Sequence, residues 1–561
     1  MLVNRFASVL ALGLILAGST FAQVLYVRAD APAGGNGASW ASAFADLQLG
    51  LATAEQTPSV AQVWVAEGTY KADPVDVSVS FVIPDGVAVF GGFAGTETSI
   101  AQRDIAAHPT ILDGDLNGDD QPDFVNYDDN TWHVVRASGV ATLVLDGLTI
   151  RGGHRGTGAG VVANAVEATF RHCTLKENWG INENNDGAGI WIAAATLDVS
   201  DCVFADNRCT SGGGLNLSPN AGPMQATFER CLFRDNFATS GAGMSAAVGS
   251  DSFVVVRDCR FERNAGCAGG GIWLASPARL ERCHFEDGGI RTQCGIGSGG
   301  GAVKTETSAA LEILDSTFRN NRRSQVWVEG HGIATLTRCT FLNDATTLPS
   351  VRAYSGEIAL DHCVLWGTGS QVASGSTGLV SATYSDVHTE GDVLPGTGNL
   401  DADPRFVNAA AGDLRLASDS PCIDAGEPGL VVVGADLERD SRMLDGDLDG
   451  TVRIDLGADE FAPVHLEVLG TPAPGNTLTF VTSGVGGLAA VLGFGPPGQL
   501  YVPQAGTVFL DLAAGGRMRW SATPSSVPVV VPPGLAGTIH VQEVAFGGGA
   551  FVLTNYVVLE F

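Results

Sequence analysis

The chain has 561 residues, with 61 acidic against 31 basic side chains and a formal net charge of -30. A field of that sign argues against nucleic acid and anionic membranes as partners, and suits a soluble surface and cation binding. Glycine fills 74 positions without a period of three, which rules out a collagen-like chain and points to many tight turns.

Residues 1–22 read as a secretory signal peptide. Arg5 gives the positive start, Phe6 to Ala17 the apolar stretch, and Thr20-Phe21-Ala22 a small-residue cleavage site before Gln23. Leu16-Ala17-Gly18-Ser19 comes close to a lipoprotein signal, with Ser19 where the lipidated Cys would stand. No later apolar run reaches the roughly 18 residues that span a bilayer. The mature protein is therefore expected to be secreted, extracellular or at the cell surface, where disulfides form. Residues 23–145 should hold a cap with one amphipathic helix near Ala41 to Ala54, then the first turns of the repeat that follows.

Within that stretch Asp113, Asp115 and Asn117 stand at positions 1, 3 and 5 of a calcium-type loop, with Gly118 at 6 and Asp119 next. Asp445, Asp447, Asp449 and Gly450 repeat the spacing. The bidentate Glu of position 12 is replaced by Phe124 and Leu456, with Asp123 and Asp455 one residue earlier as substitutes. Calcium is the expected cofactor at both; the bland alternative is a pair of solvated acidic turns.

From 146 the chain repeats. Cys173, Cys202, Cys231, Cys259, Cys283, Cys339 and Cys363 each follow an apolar residue and two polar ones, and precede any residue and then Phe or Leu; Ser316 fills the same slot and Leu148 opens the series. The spacings are 25, 29, 29, 28, 24, 33, 23 and 24 residues, the range of a solenoid. Three residues before the slot lie Leu145, Phe170, Val199, Phe228, Val256, Leu280, Ile313, Leu336 and Leu360. Two after it lie Ile150, Leu175, Phe204, Phe233, Phe261, Phe285, Phe318, Phe341 and Leu365. Five after it lie Asn178, Asn207, Asn236, Asn264 and Asn321, and a glycine cluster opens the next strand. Such a repeat is too small to bury its own core, so the units must stack. The Cys column is expected to be a reduced internal stack, because stacked Cβ atoms about 4.8 Å apart exceed disulfide geometry. The Asn column is expected to satisfy buried backbone groups. Cys267 and Cys294, in turns of adjacent rungs, are the disulfide candidates.

One residue before the slot, Asp201, Arg230, Asp258, Arg282, Asp315 and Arg338 alternate in sign, with His172 and His362 beyond the ends. This predicts an outward charge ladder in which each Asp meets an Arg above and below. After the glycine clusters, Trp191, Asn216, Ser245, Trp273 and Lys304 form an outward column. Trp191 and Trp273, about 14 Å apart by strand spacing, are the candidate carbohydrate-binding pair; the bland alternative is that a loop covers them. Residues 462–561 carry few charges among alternating Val, Leu and Phe, and read as a separate β-sandwich.

The repeats resemble right-handed parallel β-helix proteins of pectin-lyase-like fold. The flanks Tyr26-Val27-Arg28-Ala29-Asp30, Gly37-Ala38-Ser39-Trp40, Val63 to Tyr70, Gly91 to Glu97, Asp401 to Val407 and Ser420 to Gly426 resemble the choice-of-anchor Q family of secreted bacterial β-helices. The resemblance covers roughly residues 24 to 461 and implies an N-terminal cap and a β-helix with its closing segment over 146–461; with the β-sandwich after it, the chain is expected to be all-β.

The leading functional expectation is a non-catalytic adhesin or carbohydrate-binding solenoid whose partner is a polysaccharide or cell-surface glycan. The alternative is a polysaccharide lyase or glycoside hydrolase acting on an acidic polysaccharide, since such enzymes share the fold. Gly330-His331-Gly332-Ile333 resembles a polygalacturonase motif, but its companion segments are absent; Arg151, His154 and Arg155 lie near the first acidic loop as candidates for a lyase. An autotransporter reading of the terminal strand 551–561 needs more chain than the last 100 residues offer.

Overall fold

Alternating apolar and polar residues make strands whose inward side chains find cover only in the neighbouring repeat, so the chain winds. In the computed structural model each typical rung has three short strands. Ile190–Ala193 is followed by Thr196–Ser200 and, past a sharp corner, by Val203–Ala205. The next rung lies parallel and in register, with Ile190 opposite Leu215, Val199 opposite Phe228 and Phe204 opposite Phe233. Repetition yields a 22-stranded and a 12-stranded parallel sheet, wound as a right-handed β-helix. The structure describes residues 23–560 except 181–185, 219–221, 290–298, 307–308, 345–347, 376, 438–440, 448, 450, 463 and short stretches between later strands; from 463 onward the backbone alone is described. The signal-peptide reading of 1–22 lies outside the described residues.

The Cys slot is one inward column from Leu148 to Cys363, each member at most 2% exposed. It runs one rung further than the sequence suggests: Ser385 occupies the next slot and its Oγ accepts from the amide of Cys363 at 3.0 Å. Ser316 does the same for Cys283 at 3.0 Å. The column cysteines are free, and burial pushes the Cys283 thiol up to about 12. Beside them the rings of Phe204, Phe233, Phe261, Phe285, Phe318 and Phe341 stack with centroids 4.4 to 4.8 Å apart and planes within 8°.

Corners are set by two columns. Asn207 Oδ1 accepts from the amide and Nδ2 of Asn178 at 3.2 and 3.0 Å, while its own Nδ2 donates to the Leu175 carbonyl at 2.9 Å. Asn236 and Asn264 repeat this arrangement. The residue before each Asn is left-handed, as at Glu177, Asp206, Asp235 and Arg263 with φ between 51 and 56°. So is the residue before each Cys slot, with Asp201, Arg230, Asp258 and Arg282 between 50 and 54°. Gly212, at φ +65°, needs glycine because a Cβ would stand 2.3 Å from the Leu215 carbonyl oxygen.

At the N-terminal end the helix Leu47–Glu55 closes the coil, capped by Asp46, which accepts from the Gln48 amide at 2.8 Å. Leu47, Leu51 and Ala54 join the core of Leu25, Val27 and Val63. The helix starts later than its pattern suggests because Phe44 exchanges backbone hydrogen bonds with Tyr26 and Arg28, which holds it extended. At the other end the residues after 400 lie back along the outer face of the 12-stranded sheet. Ala458 donates to Thr340 Oγ1 at 2.8 Å, Arg319 reaches the Ala410 carbonyl at 3.0 Å, and Val364, Leu416, Cys422 and Leu456 form a second core. Hence all four residues of Thr340–Asn343 are buried, whereas Thr317–Arg319 buries Phe318 alone. Phe406–Asn408 and Asp413–Leu416 pair antiparallel, and from Val464 the strands form antiparallel sheets of three, four and two. No helix among the described residues is long and apolar enough to cross a membrane.

Candidate functional site

The segment between Thr110–Asp113 and Val135–Asp146 is long because it folds back over the corner of the next rungs. Tyr127 donates its hydroxyl to the Glu177 carbonyl at 3.3 Å, and Asn130 Nδ2 donates to the Gly152 carbonyl at 2.7 Å. Asp123 and Phe124 both have φ 62° and Asn126 has φ 70°. Asp and Asn adopt this region readily, as at the corners above, whereas Phe124 held there costs about 1–2 kcal/mol. The strained loop presents the Phe124 ring 5.4 Å from Trp179 and 5.1 Å from Tyr127.

Opposite the loop, the residues one past the Asn slot form an outward stack. His154 and Trp179 lie face to face at 4.8 Å, and the Arg208 guanidinium sits 6.0 Å from the Trp179 ring and 4.9 Å from that of Phe237. Loop and stack enclose a cleft of about 770 Å³. Its carboxylates are Asp115, Asp120, Asp123, Glu177, Asp206 and Asp235; its cations are Arg151 and Arg208; its rings are Phe124, Tyr127 and Phe237. Glu177, Asp206 and Asp235 occupy one corner position on successive rungs. Asp235 is gripped by Arg263 at 2.8 Å on both oxygens, which holds it low against the opposing effect of burial. Burial, reinforced by neighbouring Asp235, pushes Asp206 up. Burial with Asp115 and Asp113 nearby pushes Asp120 up to about 7, although Asn130 donates to it at 2.8 Å. Six acids facing rings and two tethered cations can accept hydroxyl or ammonium donors and stack against an apolar ligand face.

Sequence spacing alone did not show this cleft. The signal was the position after the Asn slot, where Trp179, Arg208 and Phe237 recur.

The acidic loops are organised differently from the calcium-loop expectation. Asp113 is not available, because Arg151, its register partner, takes both its oxygens at 3.2 and 2.9 Å. Asn117 is exposed and its amide donates to Asp129 at 2.9 Å. Oxygens of Asp115, Asp119 and Asp129 converge within 4.8 Å, so Asp129 from outside the motif completes that group. In the second loop Asp424 joins Asp445 and Asp447 within the same distance. Asp449 instead accepts from the Thr451 amide at 2.7 Å, and buried Asp455 accepts from the Asp424 and Phe461 amides at 2.7 and 2.6 Å.

Trp191 pairs in register with Asn216, then Ser245, Trp273 and Lys304, and the column continues to Trp327 and Arg352. The Trp191 and Trp273 rings are half-buried, and Asn216 and Ser245 between them are 5% and 1% exposed. Neither Trp191 nor Trp273 lines the cleft.

The charge column forms dyads in place of a continuous ladder. Each Arg reaches the Asp of the preceding rung, as in Arg230 with Asp201, Arg282 with Asp258 and Arg338 with Asp315. Asp315 also departs from the outward expectation: it is 6% exposed and covered by the fully buried Arg442, 2.6 Å away. His362, at 1% exposure, is covered by the same returning segment and accepts from the Glu427 amide at 3.0 Å. Cys267 is in a disulfide; Cys294, its expected partner, lies outside the described residues. His331 sits in an exposed turn away from the cleft.

A family model described as the right handed beta helix region matches residues 125–301. No curated protein matches the sequence. Among solved structures, the chain is similar to a rhamnogalacturonan lyase at 12% identity and TM-score 0.37, over 69% of this chain and 90% of that one. It is also similar to the enzymatically active domain of tailspike protein 4 of bacteriophage CBA120, at 11% identity and TM-score 0.29, over 92% of this chain and 66% of that one.

Proposed function

We propose that the protein is an exported solenoid that binds a polysaccharide or cell-surface glycan in the cleft beneath the loop of residues 114–132, without cleaving it. The observation that carries this reading is the pairing of a ring wall with hydroxyl-accepting carboxylates at successive rungs. A sugar offers an apolar face to Phe124, Tyr127 and Phe237 and donors to Asp120, Asp206 and Glu177. The resemblance to secreted choice-of-anchor Q proteins supports export.

Calcium belongs to the proposal at the Asp115, Asp119, Asp129 and the Asp424, Asp445, Asp447 groups. Three oxygens within 4.8 Å fit a cation that binds each at 2.3–2.6 Å, with water completing its shell.

A glycan array probed with the full chain and with Phe237→Ala tests the function. Binding to the wild type, weakened about tenfold or more in the variant at unchanged melting temperature, is expected. Absence of binding across neutral, amino and acidic glycans contradicts it, and release of reducing ends or unsaturated products assigns an enzyme instead.

A further inference from the structure

We infer that the glycan taken by the cleft is cationic, a chain carrying free amino groups, recognised by the carboxylates of Asp123 and Asp206. The inference rests on the glycan-binding reading above and goes beyond it by fixing the charge of the ligand.

The two left-handed corners of each rung face the same electrostatic problem, because side chains at one corner stack about 4.8 Å apart. At the corner before the Cys slot the problem is solved internally, with Asp201, Asp258 and Asp315 each bidentate to an Arg of the next rung. At the corner before the Asn slot the order is Glu177, Asp206, Asp235 and only then Arg263. Three acids in succession repel one another, and they occur on the rungs that line the cleft. Glu177 has Lys176 at 3.3 Å, and Asp235 has both Arg263 and Arg234, at 2.8 and 3.2 Å. Asp120, Asp123 and Asp206 have no ion pair among the described residues. Of the two cleft cations, Arg151 is bound to Asp113 and Arg208 lies against Trp179 and Phe237. With Asp115 assigned to the calcium group, Asp120, Asp123 and Asp206 outnumber Arg208, the one cleft cation not held by a carboxylate, so the cleft keeps an excess of negative charge beside rings that also attract a cation.

A basic peptide would share the charge but lacks a matching wall. The backbone of the stack is consumed by the rungs: Trp179 N donates to the Gly153 carbonyl and Arg208 N to that of Asn178, while the carbonyls of Trp179, Arg208 and Phe237 accept from Arg155, Gly180 and Cys209. No free strand edge remains for an added strand. Recognition falls to rings and carboxylates, which suits the stacked faces and amino groups of a sugar chain.

The test is calorimetric titration of the full chain at low salt with a glucosamine hexamer, its fully N-acetylated form, a galacturonic acid hexamer and hexalysine. The glucosamine hexamer is expected to bind about tenfold tighter than the N-acetylated one, with an affinity that falls with salt. Asp206→Asn, and separately Asp123→Asn, should shrink that preference. Equal or tighter binding of the N-acetylated hexamer overturns the cationic inference while leaving glycan binding intact. Failure of all three sugars removes the glycan-binding reading itself. Tighter binding of hexalysine than of glucosamine, or a preference unchanged in both variants, overturns the inference too.

Discussion

Arg230 lays Nε and Nη2 on the two carboxylate oxygens of Asp201, one rung before it, each at 2.8 Å, and makes no ion pair with Asp258 one rung after. A strictly alternating column thus works as separate pairs, since the Nε and Nη2 edge is taken by Asp201 and Nη1 turns to Glu229, beside Arg230 in sequence, at 3.3 Å. A double-mutant cycle on Asp201 and Arg230 should give about 0.2–1 kcal/mol of coupling at low salt, and the cycle on Arg230 and Asp258 close to none. Equal coupling in both would restore the continuous ladder. Asp315→Ala should cost more, about 3–5 kcal/mol, because it strands the buried Arg442.

The Asn column is expected to be far less tolerant than the charged corner. Asn236→Ala removes the acceptor of the Asn207 amide at 3.1 Å and of its Nδ2 at 3.0 Å, and the donor to the Phe204 carbonyl at 2.8 Å. Each buried group left alone costs about 1–3 kcal/mol, so urea unfolding should show a loss of at least that size. A loss indistinguishable from zero contradicts the ladder's role.

Asp386 is fully buried, accepting from the Ala402 amide at 3.0 Å and the Cys422 thiol at 3.4 Å, and burial pushes it up to about 6. A carboxyl raised in the folded state binds its proton earlier than in the unfolded chain. Its contribution to stability is therefore complete below the ordinary carboxylate range and is lost as pH rises through about 6. Asp386→Asn should remove that slope and stabilise the protein above it by about 2–3 kcal/mol. Thermal melts across that window check the prediction; a variant with the wild-type slope contradicts it.

Calcium should separate the two roles of the first loop. Asp129→Asn should shrink the rise in melting temperature on adding millimolar calcium, whereas Asp113→Asn should lower stability without calcium and leave the rise intact. The reverse outcome returns Asp113 to the cation site.

The winding was legible because stacking imposes one rule on every rung: Cys173 to Cys363, Phe204 to Phe341 and Asn178 to Asn264 recur where geometry leaves no choice. Ser385 escaped because the inward positions beside it carry the small Ala382 and Val387 in place of the larger residues and Phe or Leu of the other rungs. Asp129 and Asp424 were invisible to motif spacing, since tertiary folding brings them to the loops from 10 or more positions away. The cleft was hidden for a related reason. Its floor and stack lie in turns, where Glu177, Trp179 and Arg208 follow no apolar pattern, and its lid arrives from a loop whose left-handed Asp123 and Phe124 carry no sequence signature.

Glycan binding in the cleft is tested most directly by a crystal structure of the full chain soaked with the tightest-binding oligosaccharide from the array. The account predicts sugar rings between Phe124 and Phe237, with Asp206 and Asp120 within hydrogen-bond distance of their hydroxyl or amino groups. Sugar seated on Trp191 and Trp273, with the cleft unaltered, would contradict it.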